Sequence, residues 1–521
     1  MVAAQLGKGL AVTTLAATLA LGVVGGAAGG VLLMGAARTP GAGSEQGAAA
    51  GAAPSASSGS APDSSAAPST APVHYVGTFG LVPERGTAGT LVHATGSGFP
   101  SNAELALGWN TVEGRWVLGG DADEQFLGRT FDPVEQSLGA VTTDANGAFT
   151  TEFRAPQGYG FSHDVTVERA GTVLNKAGFQ LDPTVTVTPA SGPPGTPIQI
   201  TMDGIGWGDL QNSWLVTYDN AFVGWLSSVT TGGLAQVAIP ATGGAGEHLI
   251  RIIHGSFTVP YLNIQQSPQP DRPTFDAEFT VTNGPAVIPG APRSLPPTPG
   301  LEPAGGGTAI WTDPASATVG TALTVHGRGF DPGAAVQLDW STVVGNRVGG
   351  NGWDERVSPL EAVNAGSNGA FMVTLAVPND LGGGHRISAS VGGDSKAETS
   401  FVITPSAAEI EPSAGPVGSD IVIHLNGVGW TETANIYTLV YDNAFLGYAC
   451  GFNSGGDVVI HLRASGAPGW HFIDLYPAIY KGKDIKGVDN FRIPQLTAAA
   501  DHPGEHLPIF HFAFEVQGPP G

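Results

Sequence analysis

Six of the 13 histidines lie beyond residue 405: His424, His461, His471, His502, His506 and His511, with Asp474, Asp501 and Glu505 among them. Imidazole with carboxylate is a ligand set for zinc and its neighbours. The densest run is Asp501-His502-Pro503-Gly504-Glu505-His506, which makes His502, Glu505 and His506 metal candidates. Their spacing matches no zinc motif, and Pro503-Gly504 predicts an exposed loop with incidental histidines. Two further words, Tyr218-Asp219-Asn220-Ala221-Phe222 and Tyr441-Asp442-Asn443-Ala444-Phe445, offer oxygens of the kind calcium takes. Asp442 and Asn443 are therefore candidate calcium ligands. Asp-Asn is also a turn signal, and a turn with Tyr and Phe ending the flanking strands is the preferred reading. No other cofactor is expected. His248 and His471 occupy matching places in a repeat, which predicts a structural hydrogen bond at a strand start.

Trp470, Tyr476 and Tyr480 precede a lysine-bearing insertion, residues 481–490. They are candidates for a recognition surface that takes a glycan or a partner protein; burial in a sandwich core is the competing reading. Catalytic constellations are missing from the sequence. It has no Gly-x-Ser-x-Gly elbow, no His-Glu-x-x-His and no phosphate loop. A non-catalytic protein is expected. The single cysteine, Cys450, excludes an intramolecular disulfide, and its apolar run Tyr448-Ala449-Cys450 predicts a buried, inert thiol.

The elements that position these residues are strands. Charged residues are only 12% of the 521, against 78 Gly and 40 Pro, a composition that fits short strands and turns and opposes long helices. The net charge of −23 excludes nucleic acid as a partner and argues against anionic membrane surfaces. Residues 9–37 carry no charge and follow Lys8. They read as a signal anchor or a cleaved signal peptide (residues 1–37), long enough to span a bilayer. An extracytoplasmic location follows, either membrane-anchored or secreted. Residues 38–73, almost only Ala, Gly, Ser, Pro and Thr, form a linker.

Internal repetition organises the rest. Gly195 and Gly418, Trp207 and Trp430, Tyr218 and Tyr441, His248 and His471 all stand 223 residues apart. A second pairing links Gly96-Ser97-Gly98-Phe99 to Gly327-Arg328-Gly329-Phe330, and Asn146-Gly147-Ala148-Phe149 to Asn368-Gly369-Ala370-Phe371. The order is A (74–182), B (183–282), a Pro-rich linker (283–307), A′ (308–404) and B′ (405–518). Period-two segments such as Thr196-Pro197-Ile198-Gln199-Ile200-Thr201-Met202 predict strands. Asn-Gly in the A modules predicts tight hairpins. The fold class is all-β: tandem antiparallel Ig-like sandwiches, four in a row, after an N-terminal apolar helix and a disordered stalk.

The openings Pro189…Gly195-Thr196…Gly204-Ile205-Gly206-Trp207 and Pro314…Gly320-Thr321…Gly327-Arg328-Gly329-Phe330 resemble bacterial Ig-like repeats of the IPT/TIG type. Module B′ departs from that pattern with Ser419 in place of Thr. The resemblance implies an early-set Ig-like sandwich used as an adhesive, spacer or accessory module, and it carries no catalytic residues. The expected function is a structural or adhesive surface protein. Alternatives are a ligand-binding protein, for glycan or divalent metal, with B′ as the binding end, and an enzyme of unrecognised type.

Overall fold

The structure is a computed structural model that describes residues 75–119, 125–208, 211–255, 259–266, 273–346, 352–480 and 491–518. The apolar run 9–37, the linker 38–73 and the insertion 481–490 lie outside these. Among the described residues no helix is long and apolar enough to cross a membrane. The chain is all-β, a tandem of Ig-like sandwiches.

In module A, Thr78–Val82, Leu91–Ser97 and Phe149–Arg154 form a three-stranded sheet. Facing it is a five-stranded sheet in the order Arg85–Gly86, Thr172–Leu181, Phe161–Arg169, Glu104–Gly119, Gln125–Thr142. Modules B, A′ and B′ repeat this pairing of a three- and a five-stranded sheet. Alternation drives the packing: in Pro197–Asp203, Ile198, Ile200 and Met202 are fully buried while Pro197 and Gln199 face out. Each buried aliphatic side chain contributes roughly 1.5–3 kcal/mol of transfer free energy.

Two local expectations fail. The Asn-Gly segments are not tight hairpins, because the strands they join belong to different sheets. Only Gly147 (φ 75°) and Gly369 (φ 71°) take positive φ there. Asp144 Oδ1 closes the first loop by accepting from Asn146 N (2.8 Å) and Ala148 N (2.9 Å), which makes two left-handed residues unnecessary. Cys450 is exposed, because it ends the strand Ala444–Cys450 on its outward-facing register.

The modules do not stand in a row. Within each half, a glycine brings neighbours into backbone contact: Gly160 N donates to Ile205 O (3.2 Å) and Gly382 N to Val428 O (3.1 Å). A Cβ at Gly160 would sit 1.9 Å from Gly204 O, and one at Gly382 2.0 Å from Gly427 O, so no other residue fits without moving backbone. Across the halves, B′ docks on B. Val440, Tyr476 and Leu496 of B′ join the core cluster of B, and the Phe472 ring packs against Gly195. The segment that follows the insertion in B′ then straps over both first-half modules. Trp225 N donates to Pro494 O (2.9 Å) and Leu496 N to Trp225 O (3.0 Å), which covers the edge of the strand Ala221–Leu226.

Candidate functional site

Each module holds one histidine at the third residue of its next-to-last strand: His163, His248, His385 and His471. Their surroundings are the same in kind. The directly paired residue on the last strand is a buried phenylalanine: Phe179, Phe279, Phe401 and Phe514. On the other side the ring stacks on Trp109 (4.3 Å), Tyr218 (5.4 Å), Trp340 (4.4 Å) and Tyr441 (5.6 Å). Nε2 meets the carbonyl four residues earlier, at Tyr159, Gly244, Leu381 and Ala467, within 2.7–2.8 Å. Nδ1 meets an oxygen of the residue after the stacked aromatic.

That last oxygen differs by module type. In A and A′ it is a backbone carbonyl, Asn110 O (2.8 Å) and Ser341 O (3.0 Å). In B and B′ it is a carboxylate, Asp219 Oδ2 (2.6 Å) and Asp442 Oδ2 (2.5 Å). Two acceptors are both satisfied only by an imidazolium, which donates from both nitrogens. Burial pushes His163 below the ordinary histidine pKa despite its two carbonyls. The Asp442 carboxylate, helped by the Ala467 carbonyl, raises His471 against the opposing effect of burial. His248 is raised as well: burial opposes its charge, but the Gly244 carbonyl and Asp219 outweigh it.

The Asp-Asn words are turns. Asp219 and Asn220 have φ of 48° and 67°, Asp442 and Asn443 of 48° and 61°, the two left-handed residues of a two-residue hairpin. Each aspartate is fully engaged: its second oxygen accepts from the backbone N of Leu249 or Phe472, both at 3.0 Å. The two asparagines part company. Asn220 is exposed. Asn443 is 1% exposed and donates Nδ2 to Pro240 O (2.8 Å) and Thr242 Oγ1 (3.1 Å) of module B.

The run 501–506 is not an exposed loop. Asp501 is buried and accepts from Val229 N, Thr230 N and Thr230 Oγ1, each at 2.7 Å, while the indole of Trp116 donates to its carbonyl (3.1 Å). His502 lies between Gln495 Oε1 (2.7 Å) and Thr433 O (2.6 Å), and burial depresses its pKa to about 4. Glu505 lies against Gly383 of A′, its carboxyl raised to about 7 by burial. His506 is exposed. These residues join modules because apolar neighbours such as Ile493 and Leu496 carry the strap into the B core. Among the described residues no group of three or more His, Cys, Asp or Glu is placed to hold a metal.

Of the aromatic candidates, Tyr476 is core, 1% exposed, and Tyr480 stacks under Arg492 (4.4 Å) beside Tyr448 and Phe452. Trp470 alone lines a cleft. This space, about 900 Å3, is bounded by Ile288–Pro292 of the linker, by Glu409, Glu411 and Pro412, and by Trp470 and His511. A second pocket of about 270 Å3 shares Pro289, His511 and Phe512 with it and reaches Pro240 of module B. Glu409 and Glu411 flank buried Ile410, and both are exposed. Asp474 and His511 are a cross-strand pair. Buried Asp474 Oδ1 accepts from His511 Nδ1 (2.7 Å) and raises the pKa of His511 against the effect of burial, and His511 lines the cleft.

Sequence reasoning missed His163 and His385, although they stand 222 residues apart, as do Asn146 and Asn368. It also missed Glu409, Glu411 and the linker as parts of one cleft, for which no local pattern exists.

No family model matches the chain, and no curated protein matches it. Solved structures do. One is an alpha-2-macroglobulin mutant from Salmonella: 12% identity, 83% of this chain and 30% of that one, TM-score 0.17. Another is the N-terminal eight Ig domains of the Down Syndrome Cell Adhesion Molecule: 12% identity, 86% and 48%, TM-score 0.16. A third is a Corynebacterium diphtheriae protein described as membrane anchored: 13% identity, 85% and 91%, TM-score 0.16. This chain thus spans less than a third of the macroglobulin. Likenesses at this level bear on no functional claim.

Proposed function

We propose that this chain is a non-catalytic adhesive protein of the cell exterior, with IPT/TIG-type kinship, that takes a glycan in the cleft of module B′. The observation that carries the reading is the lining of the cleft. Trp470 offers an indole face for the apolar face of a pyranose ring, and Glu409, Glu411 and His511 offer groups for its hydroxyls. Buried Asp474 fixes the His511 ring, so the donor is pre-positioned, which lowers the ordering cost of binding. The location rests on the uncharged run 9–37 and the stalk-like linker after it.

The test is calorimetric titration of the full chain with neutral and amino-sugar oligosaccharides from cell envelopes. Binding that Trp470→Ala weakens at least tenfold, with unchanged unfolding, supports the reading. Absence of binding across the panel, or binding indifferent to Trp470→Ala, overturns it.

A further inference from the structure

We infer that protonation of His471 tightens the contact between modules B and B′, so the body closes most firmly in mildly acidic solution and loosens as pH rises. The inference goes beyond the glycan reading and does not rest on it. His471 donates to Asp442, and Asp442 also accepts from Phe472 N, so the imidazolium fixes the Asp442-Asn443 turn from one side. The next residue of that turn, Asn443, is the one that donates into module B at Pro240 O and Thr242 Oγ1. Thr242 in turn accepts Tyr218 Oη on its carbonyl (2.8 Å), and Tyr218 stacks on His248. Thr242 therefore ties the Asp442-Asn443 turn to Tyr218 in the core of module B.

Loss of the proton changes the bonding. A neutral ring donates from one nitrogen only, so the other presents a lone pair to either Asp442 or Ala467 O. The titratable groups facing His471 are Asp442 and the stacked Tyr441; across the contact stands Tyr218, close enough to Asp442 to feel its charge. Burial raises both tyrosines, Tyr218 to about 12, so neither ionises in the range where His471 does. His471 is raised in the fold, so its stabilisation is complete below the ordinary histidine value and disappears as pH climbs through the raised one. The contact also sets one wall of the smaller pocket, where Pro240 faces Phe472, Asp474 and His511.

Hydrogen exchange of the full chain across roughly pH 6 to 9 tests this. Protection of Ala444–Cys450, corrected for intrinsic exchange, should fall on the order of tenfold per unit by which His471 is raised. Asp442→Asn, a substitution its left-handed φ tolerates, should flatten that slope. Asp219→Asn, the same change at the solvent-facing turn of B, should leave it. If Asp442→Asn does not fold, Asn443→Ala gives a second reading: protection low and independent of pH. A flat wild-type profile, or an unchanged slope in Asp442→Asn, overturns the inference.

Discussion

His163 of module A and the histidines of the two B modules, His248 and His471, sit in one framework and are driven in opposite directions. His163 and His248 share the phenylalanine partner, the stacked aromatic and the carbonyl four residues back. What separates them is where the chain turns. In A the strand Glu104–Gly119 runs on past Trp109, so the next residue supplies only its carbonyl. In B the strand ends at Tyr218, and Asp219 swings its carboxylate back onto the ring. Hairpin length thus decides whether burial or a charge partner controls the proton.

Four outcomes sharpen or break this comparison, in falling order of size. Trp109→Ala or Trp340→Ala should cost about 3–5 kcal/mol in denaturant titrations, because the A-type shell is held by a buried indole. Tyr218→Phe removes only the hydroxyl bond to Thr242 and should cost about 1 kcal/mol. Equal losses would mean the two shells are not built differently.

Asp501→Ala should cost about 3 kcal/mol, because buried donors on Val229 and Thr230 lose a charged acceptor. Among the described residues, the corresponding stretch of B makes no such strap. Asn443→Ala should cost about 1 kcal/mol more than Asn220→Ala. Both side chains leave the same left-handed backbone, so the difference isolates docking.

The smallest effect is in the pH profile. His163 is lowered in the fold, so its contribution is present above the ordinary histidine value and lost as pH falls below it. His502 acts likewise and should loosen the strap as pH falls toward about 4. His248 has the opposite sign. Exchange of Phe161–Arg169 should therefore quicken in acid, and that of Gly246–His254 in base.

The all-β class was legible, because period-two runs such as Pro197–Asp203 and the Gly-Pro punctuation follow from local sterics. The Asp-Asn turns were legible for the same reason. What lay hidden depends on contacts between residues far apart in the chain. Nothing near Asp501 announces Val229 and Thr230, 272 and 271 residues earlier. The cleft needs the linker at Pro289 to lie over Trp470, and periodicity is silent on that. Cys450 misled because an apolar run in an edge strand still points every second side chain outward.

Assigned proton resonance titrations of His163, His248 and His471 test most directly whether one shared pocket is tuned by the residue after its aromatic. The account predicts midpoints above the ordinary histidine value for His248 and His471 and below it for His163. Three coincident midpoints, or His163 titrating highest, would contradict it.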